Sequence, residues 1–106
     1  MAAPAFPPFG QVPLAYRRAQ VWDGSPADFW PYGTVMLSVT TAPTQAYTIQ
    51  SSPDGVNWFP IYGTDLTGAQ QTQIGIGYTG TVVYLGNAYF QAVNGSGAVL
   101  KIGGAN

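Results

Sequence analysis

The most informative feature of this sequence is what it lacks: its 106 residues include no His, no Cys and no Glu. Charged residues of any kind are rare, with three Lys or Arg, four Asp and a formal net charge of −1. Proton transfer near neutral pH usually depends on His, Glu or a tuned Asp, and covalent catalysis needs a nucleophile beside a base. The composition therefore argues against an enzyme and favours a protein that binds or assembles.

The shortage of charge also argues against two classes of partner. Nucleic-acid binding relies on Lys and Arg that neutralise phosphates, and an anionic membrane attracts a basic patch. A chain with three basic residues offers neither surface. No apolar run reaches the roughly 18 residues of a membrane-spanning helix. We therefore expect no nucleic acid and no membrane as partner. Because a nearly neutral chain has little self-repulsion, we expect a homo-oligomer.

What is present divides the chain into an N-terminal arm, residues 1–13, and one domain. The arm contains four prolines: Pro4, Pro7, Pro8 and Pro13. Pro fixes φ and lacks an N–H donor, so the arm is predicted to be extended and to form neither a helix nor a central strand. It also carries Phe6, Phe9 and Val12. We expect these side chains to be buried against either the chain's own domain or a neighbour.

Residues 14–106 are predicted to form a single all-β domain. Short runs of alternating or β-branched residues recur about every 10 residues, with Gly, Pro and Asn between them. In GTVMLSVTT (33–41), Val35, Leu37 and Val39 share one face of a strand. No segment has the apolar spacing of a helix. We predict an antiparallel two-sheet β-sandwich, jelly-roll or immunoglobulin-like, of about seven to nine strands.

Pro53-Asp54-Gly55 is predicted to be a tight turn between two strands, because Asp and Gly suit turn positions and Gly accepts positive φ. The segment after the turn places Val56 and Trp58 on one face, which predicts Trp58 as a core residue. Pro60 predicts an edge strand or a bulge, since it cannot donate to a neighbouring strand.

Two further strand predictions concern the C-terminal half. QIGIGYTG (73–80) is predicted to be a strand rich in Gly. YFQAV (89–93) and AVLKI (98–102) flank Asn-Gly-Ser-Gly, and Asn-Gly readily supplies the positive φ of a hairpin turn. We therefore predict that these two segments form a closing hairpin.

Gly75 to Gly80 also match the Gly-x-Gly-x-x-Gly spacing of dinucleotide-binding proteins. That motif functions only where a strand leads into a helix whose N-terminus faces the pyrophosphate. The segment that follows, TVVYLG, is β-type, and no Asp or Glu lies downstream to hold a ribose. We interpret the glycines as a bend or a close approach of backbones.

The four aspartates are Asp23, Asp28, Asp54 and Asp65. Asp23 and Asp54 each precede Gly, where an Asp side chain typically closes a turn. A calcium site would need six to eight oxygen ligands, usually from clustered carboxylates, and a glycosidase would need a facing pair. We favour turn formation over both alternatives, and expect no cofactor and no required metal.

Three interpretations are open for six aromatic residues: they form part of the core, a surface that stacks on sugars, or a subunit interface. These residues are Trp22, Trp30, Tyr32, Trp58, Phe59 and Tyr62. Arg17 and Arg18 are adjacent, and Arg is enriched at protein interfaces. The residues predicted to bind a partner come from the arm, this Arg pair and the aromatic loop: Phe6, Phe9, Val12, Arg17, Arg18, Trp30 and Tyr32.

Two segments carry a resemblance to a known class of proteins. YTIQSSPDGVNWFPI (47–61) resembles a hairpin of tailed-phage and prophage virion proteins, in which Ser-x-Asp-Gly-x-x-Trp follows an alternating strand. NAYFQAVNGSGAVLKIGG (87–104) is similar to the closing hairpin of the same small β-sandwiches. Galactose-binding-like and discoidin-like sandwiches have similar segments. Together they cover about a third of the chain.

The resemblance implies a noncatalytic component of a phage-like virion, of the capsid decoration or cement, head-fibre-base or tail accessory type. Its expected partner is the major capsid protein or another virion protein. Its expected location is the surface of the phage particle, after assembly in the bacterial cytoplasm. The alternative function is a carbohydrate-binding module or receptor-binding tip that uses the Trp and Tyr side chains, so carbohydrate stays a possible partner.

Overall fold

The computed structural model describes residues 20–29, 34–85 and 88–105. Within them the chain forms ten strands: β1 (Gln20–Trp22), β2 (Ala27–Asp28), β3 (Thr34–Thr41), β4 (Thr48–Ser52), β5 (Phe59–Pro60), β6 (Gly63–Asp65), β7 (Gln70–Gln71), β8 (Gly80–Leu85), β9 (Tyr89–Val93) and β10 (Val99–Ala105). In this part of the chain there is no helix, and hence none able to cross a membrane. The predicted arm, residues 1–13, lies outside it.

The strands form two antiparallel sheets that pack face to face. One sheet has six strands in the order β1-β10-β3-β8-β6-β7, and the other has four in the order β2-β9-β4-β5. From β1 to β4 the chain alternates between the sheets at every connection. The predicted all-β antiparallel sandwich is therefore confirmed.

The core lies between the sheets and is built on the predicted alternation of β3. Val35, Leu37 and Val39 are buried, and Leu37 lies between Ile102 of β10 and Val82 of β8 in the strand register. The four-stranded sheet and its flanking loop add two aromatic rings: Phe29 and Phe90 meet edge to face, with centroids 5.6 Å apart. The remaining buried apolar residues are Trp22, Ala27, Ile49, Ile74, Tyr84 and Leu100.

Trp22, rather than Trp58, is the tryptophan of the described core. Trp22 is 6% exposed, and its Nε1–H donates to the carbonyl of Ser25 at 2.9 Å. The prediction that Trp58 is a core residue is wrong, because Trp58 is only half-buried. Residues 53–57 form a loop instead of a strand, so the alternation that placed Val56 and Trp58 together on the core face does not apply.

The predicted closing hairpin is also wrong. β9 belongs to the four-stranded sheet and β10 to the six-stranded sheet, so the segment between them crosses from one layer to the other. Asn94 does adopt positive φ, at 67°, as its turn position suggested. Gly95, however, does not have positive φ, so the prediction holds for Asn94 alone. Positive φ at one residue does not determine whether the two flanking strands pair with each other.

QIGIGYTG is not a strand along its length. Ile74 makes an isolated bridge with Tyr47 and is buried, while the chain turns at Ile76 and Gly77. Regular pairing begins at Gly80, the first residue of β8. The Gly-rich segment is therefore a loop that leads into a strand.

Candidate partner-binding surface

The segment from residue 56 to residue 62, at the connection between β4 and β5, carries four large apolar residues, three of which are exposed. We call it the aromatic edge and define it as Val56, Trp58, Phe59 and Tyr62. Val56 is 76% exposed, Phe59 56% and Tyr62 59%, whereas Trp58 is half-buried. Large apolar side chains of this kind contribute most of the energy at many protein interfaces. Their exposure within a seven-residue stretch marks this edge as a candidate binding surface.

The turn that holds the aromatic edge is closed by the carboxylate of Asp54. Its Oδ1 accepts the backbone N–H groups of Val56 and Asn57, each at 2.8 Å, and its Oδ2 accepts the Asn57 side-chain amide at 2.7 Å. From the other side, the Ser52 hydroxyl donates to Asp54 Oδ1 at 2.9 Å. Gly55 has φ of +78°, as the turn prediction required. The loop is therefore fixed by its own hydrogen bonds.

These hydrogen bonds also act on the ionisation of Asp54. They lower the pKa of its carboxyl far below the ordinary value, with the backbone N–H of Asn57 as the largest cause and that of Val56 next. The carboxylate therefore stays charged and bonded at any physiological pH. A loop ordered before binding loses less conformational entropy when a partner docks on it.

The strand that carries Phe59 of the aromatic edge is short and ends the four-stranded sheet. β5 contains two residues, and Pro60 pairs with Gln50 of β4. The N–H of Ile61 donates to the carbonyl of Ile49, so the nitrogen of Pro60 faces away from β4. The predicted edge position of Pro60 is confirmed. Since Pro has no N–H to offer, this edge is poorly suited to adding a further strand and contacts a partner through side chains.

Two more aspartates close turns in the same way as Asp54. Asp23 Oδ1 accepts the N–H and the hydroxyl of Ser25, and Asp65 Oδ1 accepts the N–H and hydroxyl of Thr67. These bonds lower both carboxyl pKa values, chiefly through the Ser25 and Thr67 hydroxyls. The turn interpretation is confirmed for all three residues. In the described ranges no three His, Cys, Asp or Glu side chains lie close enough to hold a metal.

Tyr84 carries a buried hydroxyl group in the core between the two sheets. Its hydroxyl has no hydrogen-bond partner among the residues that the structure describes. Burial raises the pKa of this hydroxyl above its ordinary value, and Tyr78 adds to the shift. A phenol with a raised pKa stays protonated and cannot serve as a base near neutral pH. Tyr84 therefore acts as a packing residue of the core.

The residues predicted to bind a partner all lie outside the described ranges: Phe6, Phe9, Val12, Arg17, Arg18, Trp30 and Tyr32. Of the six aromatic candidates, the structure buries Trp22 and exposes Phe59 and Tyr62. Sequence reasoning missed Val56, which it assigned to the core face. The signal was present in Asn57, since an Asp-Gly-x-Asn turn can extend its hydrogen bonding through the Asn and delay the next strand.

The candidate surface thus combines exposed aromatic side chains, a turn fixed by Asp54 and an edge strand that contains Pro60. Its chemistry consists of contact and hydrogen bonding. No protein family, curated protein or solved structure matches this chain.

Proposed function

We propose that this protein is a noncatalytic structural component of a phage-like virion. It binds the major capsid protein, or an adjoining virion protein, as a decoration, cement or head-fibre-base protein. The observation that carries the proposal is the aromatic edge, where Phe59 and Tyr62 are more than half exposed beside a turn fixed by Asp54.

Physical chemistry supports a protein partner for this edge. Exposed aromatic side chains are unfavourable in water, and those on a pre-ordered loop can be buried at low entropic cost. A chain with seven charged residues cannot form an interface dominated by ion pairs. Aromatic and apolar contacts are therefore the main source of affinity available to it.

The virion context comes from the resemblance of residues 47–61 to a hairpin of phage virion proteins. This segment contains β4, the Asp54 turn and β5, and thus most of the aromatic edge. A component of this kind is displayed on the particle surface as a homo-oligomer, after assembly in the bacterial cytoplasm.

Carbohydrate binding is the second candidate function, and the exposure of Phe59 and Tyr62 favours it too. Aromatic rings on a β-sandwich can stack on sugar rings. The burial of Trp22 removes one of the three tryptophans from any such surface. The aromatic surface available for sugar binding is therefore smaller than the six aromatic residues of the sequence suggested.

The test is co-sedimentation of the purified protein with capsids assembled from the major capsid protein of the same particle. Phe59→Ala combined with Tyr62→Ala should abolish co-sedimentation and leave the melting temperature within a few degrees of wild type, because both side chains are exposed. The control is Leu66→Ala, which removes an even more exposed apolar side chain from the turn between β6 and β7.

Loss of binding in the double variant with retention in the Leu66→Ala control supports the proposal. Equal binding by the wild type and the double variant would overturn the assignment of the aromatic edge as the capsid-binding surface. Titration with neutral oligosaccharides, followed by the tryptophan fluorescence of the protein, distinguishes the second function. Saturable sugar binding without capsid binding would replace the structural role with carbohydrate recognition.

A further inference from the structure

Three pairs of residues in the described ranges place an Asp or an Asn directly before a Gly: Asp23-Gly24, Asp54-Gly55 and Asn94-Gly95. At such a pair the backbone nitrogen of the Gly can attack the side-chain carbonyl carbon and close a five-membered succinimide ring. Gly favours this reaction because it has no side chain to hinder the approach. The three pairs differ in what the fold does to the side chain that would be attacked.

The two aspartate pairs are protected by the hydrogen bonds that close their turns. Asp23 Oδ1 accepts the N–H and the hydroxyl of Ser25. Asp54 uses both carboxylate oxygens to accept hydrogen bonds from Val56 and Asn57. These bonds keep the carboxylates ionised, and an ionised carboxylate is a poor electrophile because the attack would have to expel an oxide ion. We therefore expect neither aspartate to close the ring near neutral pH.

Asn94 has none of this protection. The residue is exposed, and neither its side-chain amide nor the N–H of Gly95 has a hydrogen-bond partner among the residues that the structure describes. The carboxamide is uncharged, and its nitrogen can leave as ammonia. Within the described ranges, Asn94-Gly95 is thus the pair in which both the attacked group and the attacking group are free.

The loop that contains this pair is attached to the neighbouring chain segment through Ser96. The N–H of Ser96 donates to the carbonyl of Gln45 at 3.2 Å, and its carbonyl accepts the N–H groups of Gln45 at 3.3 Å and Thr44 at 3.0 Å. Both bonds to Gln45 are longer than the usual length of about 2.9–3.0 Å. Ring closure requires the peptide between residues 94 and 95 to rotate. A loop attached in this way can open locally while the two sheets stay folded.

The fold itself requires both members of the reactive pair. Asn94 has φ of +67°, a conformation that Asn adopts more readily than most other residues. A Cβ atom on Gly95 would overlap the aromatic ring of Tyr47, so a bulkier residue at this position would displace that ring. The chain therefore cannot slow the reaction by replacing Gly95 without disturbing the loop.

We propose that Asn94 is a site of spontaneous deamidation in the folded protein. The Gly95 nitrogen loses its proton to hydroxide or water and bonds to Cγ of Asn94. The bond from Cγ to the side-chain nitrogen breaks, and that nitrogen takes up a proton and leaves as ammonia. Water then opens the succinimide. Attack at the side-chain carbonyl gives Asp, and attack at the main-chain carbonyl gives isoaspartate. The chain gains one water and loses one ammonia, with no oxidation or reduction.

Both products change the connection between β9 and β10, which joins the two sheets. Each adds a negative charge to a chain whose formal net charge is −1. Isoaspartate also lengthens the main chain by one carbon atom just before Ser96, which shifts Ser96 relative to its bridge partner Gln45. We therefore expect isoaspartate to lower the melting temperature, and Asp at the same position to leave it nearly unchanged.

The test is incubation of the purified full-length chain at mildly alkaline pH, followed by mass spectrometry of its chymotryptic peptides. Cleavage after Phe90 and Leu100 releases a peptide in which Asn94 is the single Asn. We expect two products with the mass gain of deamidation, which elute separately as the Asp and isoaspartate forms. Asn57 is the internal control, since its amide donates to Asp54, and it should stay unchanged.

The same chain unfolded in guanidinium chloride gives the reference rate. Because only the loop must open, the folded protein should react at no less than about a hundredth of that rate. A slower reaction would mean that conversion waits for global unfolding and would overturn the proposal, as would equal conversion of Asn57. Asn94→Gln should abolish the conversion, because the longer side chain closes a six-membered ring less readily.

Thermal melts separate the effect of the altered main chain from that of the new charge. Asn94→Asp carries the charge with a normal main chain and should melt close to the fresh wild type. Aged wild type that is rich in isoaspartate should melt lower than Asn94→Asp. Equal melting of these two proteins would contradict the expected effect on the connection between β9 and β10. None of these measurements depends on capsid binding, so this inference and the proposed function can fail separately.

Discussion

At the scale of single residues, three of the four aspartate carboxylates hold turns. Asp23, Asp54 and Asp65 each accept hydrogen bonds from groups two to four residues further along the chain. In the described part of the chain, most of the negative charge is therefore used to hold loops.

The first prediction concerns the stability of the folded protein at acid pH. The pKa values of Asp23, Asp54 and Asp65 are lower in the folded chain than in the unfolded one. Their contribution to stability is thus complete above the unfolded pKa of about 4 and is lost as the pH falls below it. We expect the melting temperature to fall between about pH 5 and about pH 2. Asp54→Asn should melt lower than wild type at neutral pH and change less on acidification.

Circular dichroism melts over that pH range provide the measurement. Asn keeps one carbonyl oxygen for the backbone N–H groups, but it loses both the charge and the second oxygen that accepts the Asn57 side-chain amide, so this variant removes the charge together with that bond. If Asp54→Asn lost as many degrees on acidification as the wild type, the turn carboxylate would not be the acid-sensitive group.

The second prediction compares two tryptophans of different burial. Trp22 is in the core and its indole N–H is bonded to Ser25, so Trp22→Ala should lower the free energy of unfolding by about 3–5 kcal/mol. Trp58 is half-buried, and Trp58→Ala should cost about 1–2 kcal/mol. Urea unfolding of both variants measures the difference. Equal costs would show that Trp58 packs as tightly as a core residue.

At the scale of the strands, the sequence predicted where strands form better than it predicted which strands pair with each other. The alternation of Val35, Leu37 and Val39 identified β3, because a strand between two neighbours must bury one complete face. The pairing of β9 with β10 was wrong, since Asn94 and its glycines describe only the local backbone. Whether the chain folds back or crosses to the opposite sheet depends on which apolar faces remain uncovered, and this is a property of the whole fold.

The aromatic edge shows the same limit. The sequence predicted the turn at Asp54 and Gly55 and the edge position of Pro60. It did not predict that Asp54 would bind the N–H of Asn57 and extend the loop, which turned Val56 outward. Sequence reasoning from alternation fails wherever side-chain hydrogen bonds compete with strand pairing.

The third prediction concerns the edge strand β5. Pro60→Thr restores an N–H that faces away from β4 and so adds an unpaired donor to the sheet edge. We expect the variant to fold with nearly wild-type stability and to self-associate more strongly, because the open edge can then pair with another strand. Light scattering at matched concentrations measures the increase. Gln70→Thr on β7, the outermost strand of the other sheet, is the control, since it adds no donor.

Reduced stability of Pro60→Thr without added self-association would contradict this view of the edge. It would mean that Pro60 stabilises the turn by restricting the backbone, and that it does not protect the strand from pairing.

At the scale of the whole molecule, seven charged residues among 106 leave association to apolar and neutral polar contacts. The aromatic edge, at the connection between β4 and β5, is the candidate surface for such contacts.

The fourth prediction follows from this shortage of charge. Because few charges are available to be screened, the dissociation constant for self-association should change by less than about threefold between about 0.05 M and 0.5 M NaCl. Analytical ultracentrifugation at both salt concentrations gives the comparison. Weakening by about tenfold or more at high salt would show that Arg17, Arg18, Lys101 or the Asp residues dominate the interface.

The pairing of β1 with β10 also bears on how the protein is made. Gln20 lies opposite Ile102, and β10 is inserted between β1 and β3, so the ribosome makes this interior strand of the larger sheet after the other nine described strands. Until the residues of β10 leave the ribosome, β3, which carries Val35, Leu37 and Val39, lacks one of its two neighbouring strands. Non-local closure of this kind slows folding and prolongs the exposure of apolar strands. Nascent chains stalled before Val99 should therefore be sensitive to protease and bind chaperones, in contrast to the released domain.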